Sequence, residues 1–168
     1  LVRIEDMTKE IEFEDAVTGE GDDAKVSDYR KSRIKWCPQN AEWGWVYRKL
    51  HDMIVEANDI MWKFDLSHMS EKIQYTEYYG NNEGGYEWHM DCGIEIQNQR
   101  KISVTVQLSD SDEYEGGDLE FNIGRKLVAH RKQGAAIIFP SFYLHRVTPV
   151  TKGVRKSFVL WVGGEPYR

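Results

Sequence analysis

Cysteine is scarce in this chain of 168 residues, and no net positive charge is available to it. The two cysteines, Cys37 and Cys92, make no disulfide framework, and no CxxC pair is present. A reducing, cytoplasmic compartment is therefore the expectation. No apolar run approaches the roughly 20 residues that a membrane span requires, and no secretory signal pattern is evident. The formal net charge of −6 disfavours a nucleic-acid backbone as the main partner, because that partner demands a basic surface. Internal repeats and low-complexity segments are also missing. What remains is the composition of a soluble globular protein, 40% apolar and 30% charged, with a length that favours one domain over residues 1–168. The 6 Trp, 9 Tyr and 6 Phe suit either a large core or an aromatic-lined groove.

Residues 1–70 read as an N-terminal strand, loop and helix. "EIEFEDAV" alternates as a strand does, and "TGEGDDAKVSD" reads as an exposed loop, with residues 15–30 a candidate flap. From Asn40, a plausible cap, the residues Trp43, Val46, Tyr47, Leu50, Ile54, Ala57, Met61 and Phe64 recur at three- and four-residue spacing. That is one apolar face of an amphipathic helix, which needs a surface to cover.

Over residues 71–164 the period changes to two. Strands are predicted at 72–79, 86–91, 101–109, 117–122, 126–130, 134–140, 144–150 and 155–162, separated by "GNNEGG", "SDSDEYEGG", "KQG" and "TKG". In "KISVTVQLS", Ile102, Val104, Val106 and Leu108 alternate with Ser103, Thr105 and Gln107, so one face enters a core and the other meets water or a polar cavity. "GAAIIFP" is apolar throughout, as a strand covered on both sides should be. Eight short strands after a helix predict a mainly β, jelly-roll domain with N-terminal helical cover.

Residues two apart on a strand point to one face, with Cα atoms roughly 6.5–7 Å apart. In "GGYEWHMDCG", His89 and Asp91 are so spaced and could aim an imidazole and a carboxylate at one ion. A second histidine would complete the 2-His-1-carboxylate set that holds non-haem Fe(II) with open positions. His51 lies on the helix surface pattern, His68 in a loop-like stretch, and His130 at a strand end beside cations. His145 differs, because it opens the strand after the most apolar one. Ten residues on, Arg155 and Ser157 share a strand face and could grip one carboxylate, a task that suits the planar guanidinium fork.

"HMD" at 89–91, "YEGGDLEF" at 114–121 and "FPSFYLHRVTPVTKGVRKSFVLWV" at 139–162 resemble the Fe(II)/2-oxoglutarate-dependent oxygenases, in the prolyl 4-hydroxylase-like branch. The resemblance covers roughly residues 72–164. It implies a double-stranded β-helix with Fe(II) on His89, Asp91 and His145, and with the distal carboxylate of 2-oxoglutarate on Arg155 assisted by Ser157. Tyr78 resembles the tyrosine that approaches the co-substrate in prolyl hydroxylases, with Tyr79 as its competitor. Trp161 resembles an aromatic that lines the pocket near the iron, and Thr105 and Gln107 are expected to line it too. Halogenating relatives lack the carboxylate, so Asp91 favours hydroxylation. Glu87 reads as a rim residue. The implied reaction is hydroxylation of a prolyl residue in a peptide or protein, consuming O₂ and releasing succinate and CO₂, with ascorbate as an accessory reductant. The alternatives are a small-molecule or other non-prolyl substrate with the same cofactors, or a non-catalytic cupin-like metal-binding module. Cupin-like sites usually cluster HxH with a nearby glutamate, whereas this chain has HxD and a paired arginine.

Overall fold

The computed structural model describes residues 2–16, 29–69, 71–93 and 99–165. Its N-terminal elements are α1 (Val2–Lys9), β1 (Glu14–Asp15), β2 (Arg30–Lys31), β3 (Arg33–Cys37), α2 (Gly44–Met61) and β4 (Leu66–His68). Then follow β5 (Ile73–Tyr79), β6 (Gly85–His89), β7 (Arg100–Gln107), β8 (Tyr114–Gly116) and β9 (Leu119–Asn122). The chain closes with β10 (Lys126–Val128), β11 (Ala136–Pro140), β12 (His145–Val147) and β13 (Val150–Gly164). An eight-stranded sheet runs β1-β3-β5-β13-β7-β11, with β4 and β8 also paired to β13, and a five-stranded sheet runs β10-β9-β12-β6-β2. The result is a mainly β jelly roll with helical cover, as the alternating pattern predicts.

The long strand β13 organises the molecule because its two faces enter different cores. Phe158, Leu160 and Val162 pack with Ile102 and Val104 of β7 against Trp43, just before α2, and Val46, Leu50 and Ile54 within it. The indole of Trp43 meets Phe158 edge-on at 6.0 Å. A second apolar cluster, with Tyr78, Leu119, Phe121, Phe139 and Val147, joins the two sheets. The polar face of β7 is not wet: Ser103, Thr105 and Gln107 are all buried, on the side away from α2. Of the two readings of that face, the enclosed polar interior is the one realised.

α2 begins four residues after Asn40, whose side chain accepts a hydrogen bond from the Trp43 backbone N–H at 3.1 Å and so caps the turn leading in. The apolar stripe ends earlier than predicted. Met61 is 66% exposed, and Asn58 takes the buried position. Its amide closes the helix by bonding both the N–H and the C=O of Phe64, at 2.9 and 3.0 Å.

Other boundaries also move. Among the described residues of the "EIEFEDAV" stretch only Glu14–Asp15 joins a sheet, and helix α1 precedes it unforeseen. "TGEGDDAKVSD" and most of the candidate flap lie outside the described residues. The strand predicted at 117–122 begins only at Leu119, while Tyr114–Gly116, within the expected turn "SDSDEYEGG", forms β8; Gly116 and Gly117 at the junction both adopt positive φ (74° and 64°). Such a step is closed to an ordinary extended residue, so the chain leaves the larger sheet at β8 and enters the smaller at β9. "TKG" is no turn. Gly153, at φ 72°, lets β13 pair with β8 before it continues between β5 and β7. His68 stands in strand β4 rather than a loop.

Candidate active site

β6 and β12 are neighbours in the smaller sheet, and His89 lies directly opposite His145. Val147 of β12 pairs with Tyr86, so two steps on β12 match three on β6. That extra residue is a β-bulge, which re-aims the side chains around it. Tyr86 and His89 consequently turn to the same side, and their rings stack with centroids 3.5 Å apart at 17°. Glu87, which strict alternation would place on the His89 face, is exposed. Its main chain serves the site instead.

His89 Nδ1 donates to the carbonyl oxygen of Glu87 at 2.7 Å, and His145 Nδ1 to that of Tyr143 at 2.8 Å. A carbonyl can only accept, so each ring carries a proton on Nδ1, and Nε2 is the nitrogen that each ring has left to offer a ligand. Asp91 comes after β6 has ended, so it is not aimed by strand alternation. Its backbone N–H bonds the Ser141 carbonyl at 2.9 Å, and its carboxylate turns back between the imidazoles. Oδ1 lies 3.6 Å from His89 Nε2, and Oδ2 lies 3.6 Å from His145 Nε2. The three donors all fall within 4.8 Å of one another, and no other such group of His, Cys, Asp or Glu occurs among the described residues.

The charges suit a cation. Burial, and then the neighbouring His145, push the His89 pKa down to about 4 against the pull of Asp91. Burial opposes ionisation of Asp91, yet the two imidazoles, the Ser103 hydroxyl and Arg100 together hold it below the usual carboxylate range. A neutral His89 beside an ionised Asp91 is the protonation state in which such groups bind a metal. An iron ion therefore fits these residues: the Nε2 atoms of two imidazoles and one carboxylate converge, with Nδ1 of each ring already committed to a carbonyl.

Arg155 is 1% exposed, and its Nε and Nη2 have no hydrogen-bond partner among the described residues. Nη1 reaches only the Ser157 hydroxyl, at 3.4 Å. Burial lowers its pKa, with Tyr78 and Tyr114 acting in the opposite direction. A buried guanidinium facing no carboxylate is costly, and an incoming carboxylate would relieve that cost. Tyr78 pairs with Arg155 across β5 and β13, is buried, and puts its ring 5.5 Å from the guanidinium carbon. Tyr79 points to the other side of β5, where its hydroxyl bonds Glu77. Gly117 leaves room here, since a Cβ on it would stand 3.0 Å from Arg155 Cδ.

By register, Ser157 sits opposite Gln107, Val159 opposite Thr105 and Trp161 opposite Ser103, on the inter-sheet side of β13 and β7. Thr105, Gln107 and Trp161, expected to line a pocket, are buried on that side. Two of the unused histidines stand away from the site: His51 is exposed beside Asp52, and His130 is exposed. Sequence reasoning missed three supports. Ser103 donates to Asp91 Oδ2 at 2.6 Å, Tyr86 stacks on His89, and Arg100 bonds the Asp91 carbonyl at 3.2 Å while Glu71 holds its guanidinium through both carboxylate oxygens. The guanidinium of Arg100 also lies 4.0 Å over the Trp161 ring. Only the alternation of "KISVTVQLS" hinted at Ser103.

Residues 73–163 match the family model of the 2OG-Fe(II) oxygenase superfamily. A PKHD-type hydroxylase of Synechococcus sp. (strain CC9311) is 42% identical over 81 residues, covering 48% of this chain and 37% of that protein. A PKHD-type hydroxylase of Teredinibacter turnerae is 31% identical over 159 residues, covering 89% of this chain and 69% of the relative. The chain thus spans little more than a third of the first relative. Among solved structures, a Trichoplax adhaerens prolyl hydroxylase in complex with a hypoxia inducible factor peptide fragment superposes with a TM-score of 0.75 at 16% identity, covering 96% of this chain and 74% of the other. A Pseudomonas putida prolyl-4-hydroxylase gives 0.67 at 17% identity, covering 97% and 82%. At such identities the structures speak for the fold alone. The family model spans most of the described strands, and its name agrees with a site built of two histidines, an aspartate and a buried arginine: the chain belongs to the 2OG-Fe(II) oxygenase superfamily.

Proposed function

We propose that this chain is the core of an Fe(II)- and 2-oxoglutarate-dependent dioxygenase that hydroxylates a prolyl residue in a peptide or protein and releases succinate and CO₂. The observation that carries the cofactor part is the pairing of one converged His89–Asp91–His145 donor set with one buried, unsatisfied Arg155 on the same inter-sheet interior. His89, Asp91 and His145 would hold the iron. Arg155, with Ser157 and Tyr78 beside it, would take the far carboxylate of the keto acid, and Trp161, Thr105 and Gln107 would line the space between. When bound, the metal with its keto acid supplies the oxidising chemistry. The protein's share is to fix the donors' protonation and exclude water, for which no acid–base residue is needed. The prolyl substrate is supported by the prolyl hydroxylases among the structural neighbours, one of which was solved with a peptide. Ascorbate as reductant and a reducing compartment complete the reading, the latter in keeping with free Cys37 and Cys92. No helix among the described residues is long and apolar enough to cross a membrane.

The test is succinate release with Fe(II), 2-oxoglutarate and a mixed panel of proline-containing peptides and metabolites, with mass spectrometry for the gain of one oxygen atom. Oxygen gain on proline in a peptide is expected. Failure across the proline panel with turnover of another compound would overturn the prolyl part, and no succinate under any condition would overturn the enzyme.

A further inference from the structure

The two oxygens of Asp91 are not equivalent. Oδ2 accepts the Ser103 hydroxyl at 2.6 Å, a short charge-assisted bond, while Oδ1 accepts none from a described residue. An ionised carboxylate can only accept, so the direction of that bond is fixed. Ser103 Oγ then has lone pairs left for a second hydroxyl, and Ser141 Oγ stands 2.9 Å away. The protons therefore run one way, from Ser141 to Ser103 to Asp91. Ser141 also grips the other end of the same residue, because its carbonyl takes the backbone N–H of Asp91 and of Cys92, at 2.9 and 3.2 Å. Both serines are 0% exposed, so solvent does not compete for these bonds. A hydroxyl pair that merely satisfied itself would need no carboxylate at 2.6 Å.

We propose that Ser103, backed by Ser141, is a positioning residue that reserves Asp91 Oδ2 and presents Oδ1 alone to a metal ion. This rests on the iron-site reading above. A carboxylate giving both oxygens would fill two coordination positions. Giving one, beside two imidazoles, it leaves three neighbouring positions for the keto acid and O₂. Partners of this kind, one bond removed from the metal, typically change its affinity by about 10- to 100-fold.

Co(II) is a suitable probe, because its visible absorption reports the number and arrangement of donors, independently of turnover. Titrations of the wild-type chain, Ser103→Ala, Ser103→Thr, Ser141→Ala and His145→Ala would be followed by that absorption. Ser103→Ala is expected to weaken Co(II) by about tenfold and to change the spectrum. Ser103→Thr, which keeps the hydroxyl, should restore both. Ser141→Ala, which leaves the Ser103 hydroxyl oxygen without its donor but keeps the Ser103–Asp91 bond, should move the spectrum the same way by less, and it serves as the second variant if Ser103→Thr does not fold. A Ser103→Ala protein with wild-type affinity and spectrum, while His145→Ala loses Co(II), would overturn the role of Ser103 and leave the iron site standing. So would a lower melting temperature with an unchanged spectrum, which is what a purely structural hydroxyl would give. A wild-type chain that takes up no Co(II) would sink the iron site, and this role with it.

Discussion

His89 and His145 face each other across β6 and β12, and each donates its Nδ1 proton to the carbonyl two residues before it in the chain. The same local device is used twice, and it commits both Nδ1 atoms, so that Nε2 is the nitrogen each ring turns to a ligand. Asp91 arrives by a different route, through a turn held by Ser141 and Ser103, so the three donors come from a pairing and a loop and not from one strand face. Arg155, in the other sheet, is buried beside Ser157 and the Tyr78 ring, with no carboxylate paired to it among the described residues.

That isolation predicts opposite effects of one substitution on stability and on co-substrate binding. Arg155→Met removes a buried cation with no carboxylate partner and keeps most of the volume. It should stabilise the ligand-free protein by about 1 kcal/mol or more, read as a raised melting temperature. The 2-oxoglutarate concentration needed for half-maximal succinate release should rise about 100-fold, for loss of a bidentate charged contact. Equal requirements in the two proteins would assign the carboxylate to another residue.

Tyr78 and Tyr79 can be separated in the same assay. Tyr78 stands beside Arg155, whereas Tyr79 is spent on Glu77 on the far side of β5. Tyr78→Phe should raise the 2-oxoglutarate requirement several-fold, the worth of about one hydrogen bond, and Tyr79→Phe should leave it unchanged. The reverse pattern would show that Tyr79 turns inward in the working enzyme.

The depressed pKa of His89 makes a prediction for the metal-free protein. Its folded value of about 4 lies below the ordinary 6.5, so the unfolded chain binds the proton more readily. Stability from a neutral His89 is fully present above pH 6.5 and is lost as the pH falls from there towards 4. Asp91, also depressed, begins to act only below its ordinary 3.8, outside that window. The melting temperature should therefore fall between these limits, and more steeply for the wild-type chain than for His89→Gln. Parallel slopes would mean that His89 does not carry the linkage.

Much of this was legible because the chemistry-bearing residues keep a fixed order: His89, Asp91, His145, then Arg155 and Ser157. The strand alternation of β7 and the apolar run of β11 likewise placed the larger sheet, which carries Arg155 and Ser157, while the two histidines stand in the smaller one. What escaped depends on departures from regular geometry. The bulge in β6 cannot be read from "YEWH", and it moves Glu87 out and Tyr86 in. The paired positive φ of Gly116 and Gly117 parts β8, which forms inside an expected turn, from β9 in the other sheet. Ser103 is one small polar residue in an alternating strand until a carboxylate from another loop is seen against it. Helix α1 buries little besides Met7 and Thr8, so its pattern is faint among the acidic residues around it.

The most direct measurement is Fe(II)- and 2-oxoglutarate-dependent succinate release by the wild-type chain and by His145→Ala, with folding of both checked by circular dichroism. Succinate from the wild-type chain and none above background from the folded variant is the expected result. Equal succinate from both would show that His145 does not hold the iron.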